Sequence, residues 1–267
     1  MPRLAANLSL LYTEHVFLDR FAAAAADGFK AVECQFPYDW PAPVLAQRLH
    51  DAGLQQVLIN APPGDWAAGE RGLAATPGGE ARFRASLPQA IDYALALACP
   101  RIHVMAGVLP GGASPAEVHS HWQTYRDNLA WAAEQVLAHG LSLCIEPLNP
   151  RDNPGYLLQQ QAQAHAVVTA IGAPHLQVQL DLYHCQIVEG DLSTRLCAGL
   201  ASGQVGHIQI AGVPHRHEPD NGELNLPYLM DLIDALGYTG WVGCEYRPRA
   251  GTSAGLVGLR PWLPSRA

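Results

Sequence analysis

The sequence is poor in charge. Only 15% of its 267 residues are Asp, Glu, Lys or Arg, while 49% are hydrophobic, which excludes an intrinsically disordered chain. The 24 acidic residues outnumber the 16 basic ones, so the formal net charge is −8. A protein that binds nucleic acid needs a basic surface, and we therefore expect no nucleic-acid partner.

The sequence also lacks the marks of an exported or membrane protein. Its six cysteines are scattered, and no C-x-x-C pair suggests a disulfide framework or a cysteine zinc site. No apolar run approaches the ~18 residues of a membrane span, and the start MPRLAANLSLLYTEH has no long apolar segment typical of a secretory signal. We therefore expect a reduced, cytoplasmic protein with no membrane partner.

What the chain does contain is a regular alternation of short apolar segments and longer helical patterns. The apolar segments predict eight strands, at 4–10, 30–36, 55–60, 101–107, 141–147, 176–184, 205–212 and 240–246. Strands that alternate with helices predict parallel βαβ units, and eight units in about 250 residues predict a single (β/α)8 TIM barrel over residues 1–267. A doubly wound open sheet is the alternative, but no glycine-rich fingerprint follows the first strand.

The segments that follow the strands are long and polar, whereas those that follow the helices are short glycine turns. The longest spans 61–80, and an irregular stretch of that length is typically functional, often a lid. In a barrel, the loops after the strands build the active-site face. The sequence therefore predicts that the chemistry takes place at that face.

Four oxygen-bearing side chains end the last four predicted strands. They are Glu146, Asp181, Gln209 and Glu245. A single acid at a strand end is commonly a cap or a loop ion pair, but four in register on consecutive strands are harder to explain that way. Three carboxylates at one barrel mouth repel each other unless a cation neutralises them. Three carboxylates and an amide suit Mg²⁺, or Mn²⁺, better than zinc, so we expect these four residues to bind such an ion.

Three further residues are candidates for substrate binding. His184 lies three residues after Asp181 and is placed to lean over a ligand, although a histidine there could also cap a helix. Arg71, in the predicted lid, and Arg216, in the loop after the seventh strand, could each clamp a carboxylate through two parallel hydrogen bonds. His207 shares the inward face of Gln209, where it is either a partner of that residue or a satisfied interior histidine.

At several long motifs the sequence resembles the hydroxypyruvate isomerase family of the xylose-isomerase-like barrels. The motifs are R-L-A-A-N-L-S at 3–9, V-E-C-Q-F-P-Y-D at 32–39, G-D-W-A-A-G-E-R-G at 64–72, I-E-P-L-N at 145–149, G-H-I-Q-I-A at 206–211, H-E-P-D-N-G-E-L-N at 217–225 and G-W-V-G-C-E-Y at 240–246. The resemblance implies a metal-dependent isomerase of a small hydroxy-oxo acid. It implies that Glu146 and Glu245 are the catalytic acid/base pair and also bind the metal, with Asp181 and Gln209 completing the set.

The resemblance leaves the substrate open between two branches, one acting on hydroxypyruvate and the other on 2-oxo-tetronate. The lid motif is similar to the first branch, whereas H-V-M-A-G-V at 103–108 and R-H-E-P-D at 216–220 are similar to the second. Arg247 stands where a lysine is frequent in the family, which keeps the charge and changes the donor geometry.

Three alternatives to the isomerase remain at this point. A keto-sugar 3-epimerase would use the same pair of glutamates. A DNA-repair barrel would need a basic groove, which the net charge opposes, and a sugar-acid binding module would need no paired acids. The sequence leaves the oligomeric state open, a homo-oligomer included.

Overall fold

Eight parallel strands close into a barrel in the computed structural model, which describes residues 1–264. Each strand pairs with the next along the chain, and the last pairs with the first. The strands are β1 (Arg3–Asn7), β2 (Ala31–Cys34), β3 (Gln55–Asn60), β4 (Arg101–His103), β5 (Ser142–Ile145), β6 (Leu176–Asp181), β7 (Val205–Ile210) and β8 (Trp241–Cys244). The predicted (β/α)8 TIM barrel is thereby confirmed.

Helices connect the strands and cover the outside of the barrel. They are α1 (Arg20–Ala26), α2 (Ala42–Ala52), α3 (Glu80–Ala96), α4 (Pro115–Leu137), α5 (Gln161–Ile171), α6 (Leu182–Val188), α7 (Leu192–Ala201), α8 (Leu226–Ala235) and α9 (Thr252–Gly255). Local sequence sets their ends. Ser114 and Glu117 exchange side-chain and backbone hydrogen bonds across the first turn of α4, and Gly53 ends α2 with a φ of 63°.

The sixth strand is shorter than predicted, and this difference helps to form the site. The pattern at 176–184 predicted one strand, but β6 stops at Asp181 and α6 begins at once. The cause is a helix cap, because Oδ1 of Asp181 accepts a hydrogen bond of 2.8 Å from the backbone N–H of Tyr183. The cap turns the chain so that His184 lies on the first turn of α6, beside the end of its own strand.

The interior of the barrel is layered. A small apolar cluster consists of Ala5, Ala31 and Val57, with Trp241 packed against it. Asn7 and Glu33 lie two residues further along β1 and β2, on the same face of each strand. Polar side chains therefore occupy the barrel above the small apolar cluster, toward the carboxyl ends of the strands. None of the described helices combines the length and the apolar character needed to cross a membrane.

Candidate active site

All four residues predicted to bind a metal lie buried at the carboxyl ends of β5 to β8. Glu146, Asp181, Gln209 and Glu245 are each at most 5% exposed. Parallel pairing places the ends of β6 and β7 side by side, with Asp181 opposite Gln209. A cavity of about 500 Å³ opens above them, and both glutamates line it, whereas Asp181 and Gln209 are not among its lining residues.

Glu146 and Asp181 carry the free carboxylate oxygens of the site. Oε1 of Glu146 and Oδ2 of Asp181 are buried and have no hydrogen-bond partner within residues 1–264. Potential ligand atoms of Glu146, Asp181 and His184 all lie within 4.8 Å of one another. Burial and the neighbouring carboxylates Glu245 and Asp181 raise the pKa of Glu146 well above its usual value. Two adjacent carboxylates with unused oxygens could hold a divalent cation, which would supply the missing positive charge.

His184 directs a hydrogen-bond donor, the Nε2–H of its ring, toward the carboxylates. Its Nδ1 accepts a hydrogen bond of 3.0 Å from the backbone N–H of Asn149, so the proton of the neutral ring lies on Nε2. Burial, with a contribution from the Arg216 charge, holds the pKa of His184 well below its usual value, which keeps the ring neutral. Nε2 lies 3.7 Å from Oδ2 of Asp181. This arrangement suits hydrogen bonding to a substrate oxygen and not ligation of a metal.

Glu245 differs from Glu146 in its hydrogen bonding, because both of its carboxylate oxygens have partners. Oε1 accepts hydrogen bonds from Nδ2 of Asn7 at 3.0 Å and from Nε2 of Gln35 at 2.9 Å. Oε2 is paired with the guanidinium of Arg216. Burial raises the pKa of Glu245, and the charge of Arg216 opposes that shift. Two glutamates on one cavity thus lie in different environments, which is the arrangement expected of an acid/base pair.

Arg216 is held by its backbone as well as by its side chain. Its φ is 56°, in the left-handed region, and its carbonyl accepts a hydrogen bond of 2.7 Å from the backbone N–H of Arg247. Its guanidinium also lies 3.8 Å from Asp181 and 5.1 Å from the centre of the Tyr183 ring. Arg216 therefore lies in the site as predicted, but its charge serves the protein's own carboxylates.

Arg71 lies in the long segment between β3 and α3, and it lines the same cavity. Its guanidinium stacks 3.8 Å from the centre of the Trp66 ring and donates to the carbonyls of Trp66 and Glu70. The Trp66 ring lies 5.4 Å from that of Phe36, and Trp66 also lines the cavity. The predicted lid thus forms one wall of the cavity.

Beneath these residues lies a network that the sequence reasoning missed. The amide of Gln209 donates to Oε1 of Glu33 and accepts from Gln179, both at 2.6 Å. Glu33 also accepts from Asn7 at 2.9 Å and pairs with His207. Gln209 is therefore held by Gln179 on one side and by the anchored Glu33 on the other. A signal was present, since Asn7 and Glu33 are polar residues near the ends of apolar strands. These two residues lie on the first two strands, whereas the predicted metal ligands all lie at the ends of the last four.

His103 is a second residue that sequence reasoning left aside. It is buried, it lines the cavity, and its Nδ1 lies 3.7 Å from Oε2 of Glu146. Burial, with a contribution from His207, lowers the pKa of His103 to about 3. A neutral imidazole therefore packs against the glutamate that has the free oxygen.

The fold and this site define the class of protein. The chain belongs to the xylose isomerase-like TIM barrel family, whose model matches residues 21–262. A solved structure described as an AP endonuclease, family 2, from Brucella melitensis superimposes on this chain with a TM-score of 0.94 at 47% sequence identity. The match covers 99% of this chain and 100% of the Brucella chain.

Relatives that match nearly the whole chain are named isomerases. The chain is 59% identical to the 2-oxo-tetronate isomerase of Cupriavidus necator, over 98% of this chain and 99% of that protein. It is 42% identical to the hydroxypyruvate isomerase of Escherichia coli K12, over 98% of this chain and 100% of that protein. The chain is thus an isomerase similar to the hydroxypyruvate isomerases, which confirms the resemblance found in the sequence. These relatives favour the isomerase over the 3-epimerase alternative.

Proposed function

We propose that this chain is a metal-dependent isomerase of a small hydroxy-oxo acid, with 2-oxo-tetronate as the first substrate to test and hydroxypyruvate as the second. Both names come from relatives, and the one with higher identity is named for 2-oxo-tetronate. The observation that carries the proposal is the pair Glu146 and Glu245, two buried carboxylates on one cavity in unlike surroundings.

A divalent cation, Mg²⁺ or Mn²⁺, is part of the proposal. The free oxygens of Glu146 and Asp181 would hold it. Glu245 and the amide oxygen of Gln209 complete the set predicted from the sequence, and to bind the ion they would exchange hydrogen bonds that they now accept from Arg216 and Gln179. Carboxylate and amide oxygens are ligands that suit both ions. When bound, the ion would act as a Lewis acid, polarising the substrate carbonyl and making the neighbouring C–H acidic.

The protein's own groups would carry the proton. One of Glu146 and Glu245 takes it from the carbon beside the carbonyl, and an enediolate is formed. A glutamate then returns a proton to the former carbonyl carbon, and the hydroxyl proton passes to the former carbonyl oxygen, so that carbonyl and hydroxyl exchange places with no net oxidation. The Nε2–H of His184 donates a hydrogen bond to a substrate oxygen, and the Arg216 charge offsets the negative charge that develops in the cavity.

The experiment that tests this proposal is a metal-dependence assay with both substrates side by side. Protein treated with a chelator should be inactive toward 2-oxo-tetronate and hydroxypyruvate, and Mg²⁺ or Mn²⁺ should restore turnover of at least one. Full activity without metal, or no turnover of either acid with metal, would contradict the proposal. DNA binding at low salt is the matching control for the family 2 endonuclease structure, and the net charge of −8 predicts none.

A further inference from the structure

Three arginines line the cavity, and two of them already have partners. They are Arg71, Arg216 and Arg247. Arg216 is paired with Glu245 and lies close to Asp181. Arg71 donates at 3.1 Å and 2.8 Å to two carbonyls of its own loop and stacks on Trp66. The charge of Arg216 is therefore offset by the protein's own carboxylates, and the side chain of Arg71 is held in place by its own loop.

Arg247 differs, because its backbone is fixed while its side chain is free. Its N–H donates to the carbonyl of Arg216 at 2.7 Å, and its own carbonyl lies 2.8 Å from Nδ1 of His217. These contacts hold the segment after β8 against the loop after β7. Across residues 1–264, the exposed guanidinium of Arg247 makes no hydrogen bond, ion pair or ring contact. Among the three arginines of the cavity, Arg247 is thus the one whose guanidinium makes no contact with the described residues.

The positive charge of Arg247 is placed to attract an anionic substrate into the cavity. Glu146, Asp152 and Glu245 also line it, so a positive charge in addition to those that neutralise these carboxylates would favour the binding of an anionic substrate. A guanidinium matches a carboxylate through two parallel hydrogen bonds. Arg247 follows Glu245 by two residues. Both residues line the cavity, so a carboxylate bound by Arg247 would share the cavity with that glutamate.

We propose that Arg247 binds the substrate carboxylate and thereby selects an oxo acid over a neutral sugar. This inference rests on the proposed function, because it assumes an acid as the substrate. Arg247 is a specificity residue in this account, and it takes no part in proton transfer. A contact made equally in the ground state and the transition state changes KM and leaves kcat nearly unaltered.

The first test is kinetic and uses the full chain, loaded with metal, and 2-oxo-tetronate. Arg247→Met should raise KM by about 10- to 100-fold, the effect of losing hydrogen bonds between charged partners, while kcat stays within about threefold. The KM of Arg247→Lys should lie between those of Arg247→Met and the wild type, because lysine keeps the charge but cannot donate two parallel hydrogen bonds. The matched control is Arg48→Met, which removes an exposed arginine of α2 outside the cavity and should change neither constant. An unchanged KM in Arg247→Met would overturn the inference.

A second measurement separates this inference from the proposed function. Calorimetry would compare D-glycerate, an acid without a reactive carbonyl, with uncharged glycerol. We expect wild type to bind D-glycerate and to discriminate against glycerol, and Arg247→Met to lose that discrimination. Equal binding of D-glycerate by wild type and Arg247→Met would overturn the inference. Wild type that binds D-glycerate through Arg247 but converts neither oxo acid would contradict the proposed function and leave the inference standing.

Discussion

Nε2 of His207 lies 2.6 Å from Oε2 of Glu33, and both side chains are fully buried inside the barrel. Oε1 of the same carboxylate accepts from Asn7 and Gln209. Asn7 in turn donates to Glu245, so a single buried acid is linked to the catalytic residue proposed at β8 and to the amide proposed as a ligand. The polar layer of the barrel is therefore organised around Glu33.

We expect Glu33→Gln to destabilise the protein by about 3–5 kcal/mol, because removing one partner of a buried, hydrogen-bonded pair leaves the other groups uncompensated. Urea unfolding at pH 7 measures the change. Glu134→Gln, at an exposed site on α4, is the control and should change the free energy of unfolding by no more than ~0.5 kcal/mol. A Glu33→Gln variant as stable as this control would show that the network is not structural.

The fold was predictable because the same sequence pattern, an apolar segment followed by a helical one, repeats along the chain. Eight apolar segments of similar length, separated by helical patterns, leave few arrangements other than a closed barrel. Strand ends were less predictable. The pattern 176–184 has a continuous strand-like character, and only the side-chain cap of Asp181 decides that the strand stops there.

The site was predictable in part. Residues at strand ends converge because parallel strands share an edge, so the locations of Glu146 and Glu245 follow from the sequence. Partners that are distant in sequence do not follow from it. Arg216 meets Glu245 only because the loops after β7 and β8 pack together, and Glu33 meets His207 across the barrel interior. No local pattern specifies either pair.

Glu146→Gln and Glu245→Gln should each lower kcat by about 10²- to 10⁴-fold, the usual contribution of general acid–base catalysis, while the fold survives. Their effects on stability should differ. Glu245→Gln leaves the half-buried Arg216 without its hydrogen-bonded ion partner, whereas Glu146→Gln removes a carboxylate with a free oxygen and a strongly raised pKa.

Kinetics and urea unfolding of both variants measure these two effects. We expect Glu245→Gln to be the less stable protein. Near-wild-type turnover in either variant would contradict the catalytic role of that glutamate. Equal stability would show that the ion pair between Arg216 and Glu245 does not stabilise the fold.

The stability of the metal-free protein should fall as pH rises from about 4 to 7. Burial raises the pKa of Asp181 from its usual 3.8 to about 7, against the opposing charge of Arg216. In that pH window the folded state holds a proton that the unfolded chain has released. Stability is greatest below the unfolded pKa and is lost through the folded pKa, by an amount on the order of a few kcal/mol.

Urea unfolding of chelator-treated protein at pH 5, 6, 7 and 8 measures this dependence. The variant Asp181→Asn cannot titrate at this position and serves as the matched control. The difference in unfolding free energy between wild type and Asp181→Asn should shift against wild type as pH rises. A difference that stays constant over the four pH values would contradict a raised pKa of Asp181 in the folded protein.

The lid should affect substrate binding more than stability. Trp66 is 44% exposed, so its removal uncovers little buried surface, but its ring supports both Arg71 and the cavity wall next to Phe36. A cation–π contact at an exposed site is worth about 0.5–1 kcal/mol. Trp66→Ala should therefore raise KM by roughly two- to fivefold and lower the free energy of unfolding by no more than ~1 kcal/mol. Trp66→Phe, which keeps an aromatic face under Arg71, should have a KM close to that of the wild type. If KM is unchanged in Trp66→Ala, or if Trp66→Phe raises it as much, the stack does not shape the cavity.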